Sequence, residues 1–329
     1  MANKITFNEK ILIAGSRGMV GRATYKKLIN KGYGNHLLDG KIFTPSKKEL
    51  DLSNFNDVKD WFELNKPTVV ILAAAKVGGI LANNQMPSDF ILENLKIQTN
   101  LIEIAFRNKV KRFLFLGSSC IYPKFAKQPI KEEYLLTSQL EETNQWYAIA
   151  KIAGLKLCEA LRIQHGFDTI SLMPTNLYGP NDNYDENNSH VMPALIRKFN
   201  NAVKQNFDIV TCWGDGSPLR EFLHVEDLAE AVVFILENWQ PNIDKNNQIK
   251  EPYHLNVGSD EEISIFDLAH KIAELSGYEG EINWDLSKPN GTPRKKIDCT
   301  RINKLGWKPK IRLEEGIKKT IEDYREIYK

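Results

Sequence analysis

Cysteine is scarce in this 329-residue chain: Cys120, Cys158, Cys212 and Cys299 stand far apart, with no paired spacing. That spacing excludes a disulfide framework and a cysteine zinc site, so no metal is expected and a reducing, cytoplasmic setting is. Excess charge of one sign is lacking too. Lys and Arg total 44 against 42 Asp and Glu, a net +2, which argues against nucleic acid or a membrane surface as partner and leaves room only for a local basic pocket. Long apolar runs are missing: the longest, VVILAAAKVGGILA (69–82), is broken by Lys76, Gly78 and Gly79 and is too short to cross a bilayer. No secretion signal precedes the first strand pattern, and the chain shows no internal repeat.

What is present is an ordinary globular composition, 42% apolar and 26% charged, in a chain long enough for a sizeable core. Short β-rich runs at 10–15, 40–44, 68–74, 112–118 and 169–174 alternate with amphipathic stretches at 19–31, 55–65, 88–108 and 144–165. Such alternation predicts an α/β fold, a Rossmann-type doubly wound parallel sheet with helices on both faces. After residue 175 the rhythm breaks. TNLYGPNDNYDENNSH (175–190) reads as loop and 238–252 as a surface excursion, with helices at 192–205, 225–238 and 264–276, the last opened by a Ser264/Asp267 capping pair. The expected plan is a nucleotide domain over 1–175, rejoined at about 222–257, and a smaller C-terminal α/β lobe over 176–221 and 258–329.

The first strand runs into Gly15, Gly18 and Gly21 in ILIAGSRGMVG. A first glycine permits the tight turn, a second lets backbone approach a pyrophosphate, and a third lets the helix pack closely, while the helix N-terminus offers free N–H groups to phosphate. An NAD site usually carries an acidic residue at the end of the second strand. Here that strand ends FTPSKKELDL, with Ser46, Lys47 and Lys48 before any carboxylate and Arg17 in the glycine turn. Cations there suit a ribose 2′-phosphate, so NADP is the expected cofactor; the other reading is a solvated lysine run. Asp51 and Leu52 fall where adenine would lie.

WYAIAK places Tyr147 and Lys151 one helical turn apart on one face. An ammonium beside a phenol lowers its pKa, which would make Tyr147 a proton donor and acceptor near neutrality. Ser118, at the carboxyl end of the fourth strand, sits where ligands of such sheets bind.

With these residues in place, the chain resembles the extended short-chain dehydrogenase/reductase family. The match is carried by GSRGMVG, AAAKVGGILAN, LGSSCIYPK, YAIAKIAG, MPTNLYGPNDN, NSHVMPAL, WGDGSPLREFLHVEDLA and KPNGTPRK, from residue 15 to 296. The resemblance implies that Ser118, Tyr147 and Lys151 form the reductase triad and that the substrate is a GDP-linked 4-keto-6-deoxy-mannose. A C4 ketone acidifies the protons on C3 and C5, and inverting both centres needs proton carriers on both faces of the sugar. Cys120 and His190 are the pair the resemblance supports; a thiol with pKa about 8.5 and an imidazole with pKa about 6.5 bracket neutrality. The bland readings are a small buried thiol and a helix-capping histidine.

The same resemblance gives Gly15, Arg17, Gly18, Met19, Val20, Gly21, Lys47, Asp51, Leu52, Ala73, Ala74, Ala75, Tyr147, Lys151, Pro174, Asn176, Leu177 and His190 as expected NADP contacts. Asn176, Lys198 (or Arg197), Trp213, Arg220 and Lys288 are the expected contacts of the GDP-sugar. The helices at 88–108 and 144–165 resemble the family's dimer-forming pair, so a homodimer is expected. Two alternatives remain at this point: a 4-reductase or epimerase acting on a related GDP-deoxyheptose, and a non-catalytic NADP-sensing protein.

Overall fold

A computed structural model describes residues 4–186, 188–241, 253–288 and 290–329. In chain order the strands are β1 (Lys10–Ala14), β2 (Lys41–Phe43), β3 (Val69–Leu72), β4 (Arg112–Leu116), β5 (Thr169–Pro174), β6 (Asn176–Tyr178), β7 (Ile209–Trp213), β8 (Leu219–His224), β9 (His254–Val257), β10 (Glu262–Ser264), β11 (Glu281–Asp285) and β12 (Arg294–Lys295). The helices are α1 (Met19–Asn30), α2 (Phe55–Asn65), α3 (Ile80–Gln85), α4 (Pro87–Arg107), α5 (Gln145–His165), α6 (Val191–Gln205), α7 (Val225–Asn238), α8 (Ile265–Ser276), α9 (Thr300–Lys304) and α10 (Leu313–Ile327).

Six strands form one parallel sheet in the order β2-β1-β3-β4-β5-β9. β3, β4 and β5 are buried along their whole length, as strands covered on both faces must be. The order reverses at β1, so the crevice at the carboxyl ends of β1 and β3 is where such a sheet takes a ligand. α4 packs on α5 and α1 on α7. The chain returns to this sheet through β9, which pairs with β5.

A second apolar cluster joins α6, α8 and α10 through Phe199, Leu268, Ile272, Ile317 and Tyr324. Beside it, β8 pairs with β6, β10 and β12, while β7 pairs with β11. Ser264 caps α8 as its spacing predicts, its hydroxyl accepting from the Asp267 N–H at 2.9 Å.

Two expectations need correction. Asn176–Tyr178, inside the segment read as loop, is a strand held parallel to β8; the Asn176 side-chain amide donates to the Glu221 carbonyl at 2.8 Å, an anchor that composition does not reveal. The segment given to the second lobe is also not uniform, because Ile297, Cys299, Ile302 and Trp307 pack into the core of the first. Most of the surface excursion, 242–252, lies outside the described residues. Among the described residues no helix is long and apolar enough to cross a membrane.

Candidate active site

A cleft of about 1620 Å³ runs between the carboxyl edge of the large sheet and the second lobe. Pockets for one small molecule hold about 300–1,000 Å³, so this one has room for two nucleotide-sized ligands side by side.

At its sheet end, Gly15 turns the chain with φ +89°, and a Cβ there would sit 2.6 Å from the Ala74 nitrogen. Gly18 differs: the nearest protein atom to a Cβ there is the Gly15 oxygen at 3.6 Å, so its lack of a side chain leaves the approach open to a ligand rather than to the protein's own packing. Gly18 caps α1 in an extended conformation, and the first turn of α1 carries no acidic residue, so nothing opposes an anion at that terminus. Arg17, Ser46 and Lys47 line the same end of the cleft and Lys48 does not. Glu49, the first carboxylate after them, accepts from the Ser46 N–H at 2.7 Å and is thereby turned to its own loop. These residues fit a dinucleotide with a 2′-phosphate. Met19, Val20, Gly21, Asp51, Leu52, Ala73, Ala74, Ala75, Pro174, Asn176 and Leu177 also face the cleft.

β4 delivers the central group. Gly117 ends the strand, and Ser118 caps a short 3₁₀ turn, Ser119–Ile121, by accepting from the Cys120 N–H at 3.2 Å. That turn aims Ser118 and Cys120 into the cleft beside Tyr147. The half-buried Cys120 sulfur accepts from the Asn144 amide at 3.4 Å and from the Lys295 ammonium at 3.2 Å. Burial alone would raise this thiol's pKa; Lys295, Ser118 and Arg220 outweigh it and leave it below the usual thiol value.

Tyr147 departs from the sequence expectation. Its pKa lies above, not below, the ordinary phenol value, because burial and the Cys120 charge raise it while Ser118 alone pulls it down. Lys151 does not reach the cleft wall. It is buried behind it, donating to the Leu116 carbonyl at 2.9 Å, with its nitrogen 4.9 Å from the Phe115 ring centre and 5.8 Å from that of Tyr147. Burial lowers its own pKa to about 7.

His190 is the N-cap residue of α6 and faces the cleft from the second lobe. Much of its ring surface is open to the cleft, yet the surrounding walls and then the Lys295 charge lower its pKa, so the imidazole is largely neutral at pH 7. Further out, Trp213 is half exposed between two cations, Lys198 at 5.8 Å and Lys288 at 5.6 Å from its ring centre. Lys198 also donates to the Thr211 carbonyl at 2.7 Å, and Arg197 pairs with Glu186. Arg220 lines the cleft close enough to Cys120 for their charges to interact.

The structure thus brings every expected site residue except Lys151 to one cleft. Lys295 and Asn144, the two side chains that touch the thiol, were not anticipated. Lys295 lies in KPNGTPRK but reaches Cys120 only because β12 pairs with β8, placing Lys295 opposite Arg220. Asn144 had a readable signal: it precedes Tyr147 by three residues at the start of α5.

One further group of potential metal ligands occurs among the described residues, Glu221, Asp260 and Cys299, with ligand atoms within 4.8 Å of one another. The Glu221 carboxylate already accepts N–H bonds from Ser259, Asp260 and Ile297 at 2.8–3.0 Å. It pins three segments together, which accounts for its burial without an ion.

A parallel sheet with a glycine-turn phosphate cradle, and a serine and tyrosine at the carboxyl edge backed by a lysine, define a dinucleotide-dependent enzyme of the short-chain dehydrogenase type. The chain belongs to the NAD dependent epimerase/dehydratase family, whose model matches residues 11–258. It is similar to GDP-L-fucose synthase 1 of Arabidopsis thaliana, 53% identical over 315 residues, 96% of this chain and 93% of that protein. GDP-L-fucose synthase of Escherichia coli K12 is 47% identical over 326 residues, 97% of each chain. Among solved structures, a GDP-mannoheptose C4 reductase from Campylobacter jejuni with NADP bound superposes with a TM-score of 0.85 at 38% identity, covering 98% of this chain and 99% of that one.

Proposed function

We propose that this protein is a bifunctional epimerase and reductase that converts GDP-4-keto-6-deoxy-D-mannose to GDP-L-fucose with NADPH. The observation that carries the reading is Cys120: a half-buried thiol held by an ammonium and a side-chain amide in the same cleft as Tyr147 and His190.

The Ser118 and Tyr147 hydroxyls grip the C4 carbonyl oxygen and stabilise the enolate formed when a neighbouring proton leaves. Cys120 takes the proton from C3 or C5, and the carbon's electron pair passes into the carbonyl. His190, across the cleft, takes up a proton from solvent and delivers it to the enolate carbon on the opposite face, which inverts the centre, while the Cys120 thiol gives its proton back to solvent and is ready for the second carbon. Bound NADPH supplies the hydride for C4. Tyr147 gives the oxygen its proton; a phenol whose pKa lies above the ordinary value is fully protonated in the resting site, the state a donor needs. As the phenolate forms, the Lys151 ammonium behind it supplies the nearby counter-charge. Lys198, Lys288 and Arg220 face the diphosphate, with Trp213 against the base or ribose. Gly15, Gly18 and the α1 N-terminus take the cofactor pyrophosphate, and Arg17 and Lys47 its 2′-phosphate.

Relatives at about half identity carry the GDP-L-fucose synthase name. A GDP-heptose C4 reductase would need hydride delivery and Tyr147 alone, leaving the Cys120–Lys295 contact and His190 without work; a cofactor sensor would need neither. Solvent-facing Trp146 and Ile149 on α5 support a homodimer formed through α4 and α5, and four cysteines without paired spacing support a reducing, cytoplasmic setting. Incubation with GDP-4-keto-6-deoxy-D-mannose and NADPH, followed by NMR of the product, tests the reading. GDP-L-fucose is the expected product; a reduced sugar that keeps the manno configuration at C3 and C5 would refute it.

A further inference from the structure

Lys295 enters the cleft from the far lobe, on the last short strand of the chain, and its nitrogen lies 3.2 Å from the Cys120 sulfur. Its register partner across the β8–β12 pair is Arg220, so two cations stand side by side where the thiol is. A diphosphate contact would account for one cation there. It does not account for an ammonium hydrogen-bonded to sulfur.

The other groups around the sulfur carry little opposing charge. Glu141 lines the small recess beside Cys120, but its carboxylate is paired with Lys124 at 3.0 Å. Tyr147 on α5 is a neutral phenol and Lys151 is turned away to the Leu116 carbonyl. Asn144, which donates to the sulfur, and Ser118, which accepts from the Cys120 backbone N–H, are neutral. His190 is kept largely neutral, in part by Lys295 itself. The positive charge facing the sulfur is therefore that of Lys295, with Arg220 behind it.

We propose that Lys295 is a positioning residue for Cys120: its ammonium donates to Sγ and holds the sulfur as the thiolate, the form able to take a proton from the sugar. The step balances within the site. The thiolate lone pair takes the proton, the C–H electrons form the enolate, and Lys295 keeps its three protons throughout. Because Lys295 sits on the second lobe and Cys120 on the sheet edge, the base is armed only when the two lobes hold this arrangement.

The catalytic consequence rests on the epimerase reading, but the test of the pairing does not use the sugar. The NADP-bound enzyme is alkylated with iodoacetamide across a pH series, and modification of Cys120 is read by mass spectrometry. Cys158, Cys212 and Cys299 are buried and should stay unmodified. The wild-type midpoint is expected below the ordinary thiol value of about 8.5; a midpoint at or above it overturns the proposal without any variant. Removing an opposite charge at this range shifts a pKa by about one to three pH units, so Lys295→Met should move the midpoint up by about that much and cut thiolate reactivity at pH 7 by tenfold or more. Lys295→Arg should restore most of it. An unmoved midpoint in Lys295→Met, with only a weakened KM for the GDP-sugar, would make Lys295 a diphosphate ligand and sink the pairing. Should the thiol titrate as expected while no GDP-sugar is epimerised, the substrate reading fails and the pairing stands.

Discussion

Replacing Lys151 with methionine should make the protein more stable while destroying its activity. Lys151 is 4% exposed, donates one hydrogen bond to the Leu116 carbonyl, and has its pKa lowered by burial from the usual 10.5 to about 7. The unfolded chain keeps an ordinary lysine, so between pH 7 and 10.5 the native state binds fewer protons than the unfolded one, and this contribution to stability rises with pH. At pH 7, with about 1.4 kcal/mol per pH unit, burying the amine costs about 4 kcal/mol. Methionine removes that cost but leaves the Leu116 carbonyl unpaired, worth about 1 kcal/mol. The net gain is about 3 kcal/mol at pH 7 and about 1 kcal/mol at pH 9. With an unfolding entropy of about 2.1 cal/mol/K per residue, those gains correspond to a Tm increase of about 4 °C and about 1–2 °C. Thermal melts of the cofactor-free protein at the two pH values supply the measurement. A Tm in Lys151→Met that is unchanged or lower at pH 7, or a gain that grows toward pH 9, would refute the reasoning that burial governs this lysine.

Further predictions follow from the same geometry. Tyr147→Phe should reduce turnover by about 10²–10⁴-fold while NADPH still binds, as judged by its fluorescence; normal turnover would remove Tyr147 as proton donor. Lys47→Ala should weaken the NADPH KM by about tenfold, the scale of one charge-assisted hydrogen bond, with little change for NADH; equal effects on both cofactors would mean that Lys47 does not face the 2′-phosphate. Gly79 donates its N–H to the Asn188 carbonyl, and a Cβ there would lie 2.7 Å from the Ser189 oxygen, one residue before His190. Gly79→Ala should therefore push His190 off its position and lower kcat by about 10²-fold with NADPH affinity intact; an unchanged kcat would show that the His190 loop is not braced there.

The sheet domain was readable because its signals are local. Buried strands such as VVIL and the FLFL of β4 are continuous apolar runs, and the helices between them keep one apolar face, so their limits emerge within a residue or two. In the second lobe the helices α6 and α8 were readable in the same way, but the strands were not, because β6, β10 and β12 are only two or three residues long and exist through pairing with β8. The same divide runs through the site. Ser118, Tyr147 and Cys120 sit on local motifs beside a strand end or on a helix face. Lys295 reaches the thiol across 175 residues of sequence, and no periodicity encodes that contact. The state of Tyr147 was misjudged for a related reason: spacing put Lys151 on its face of the helix, but burial and the Leu116 carbonyl decide where the ammonium points.

The central claim is that Cys120 moves protons on the sugar carbons beside the carbonyl that is then reduced. Running the reaction with NADPH in D₂O, for wild type and Cys120→Ser, and locating deuterium in the product by NMR tests it most directly. The account predicts deuterium at both C3 and C5 from the wild type and its loss in the variant. Full exchange at both carbons in Cys120→Ser, or a wild-type product without deuterium at either, would contradict it.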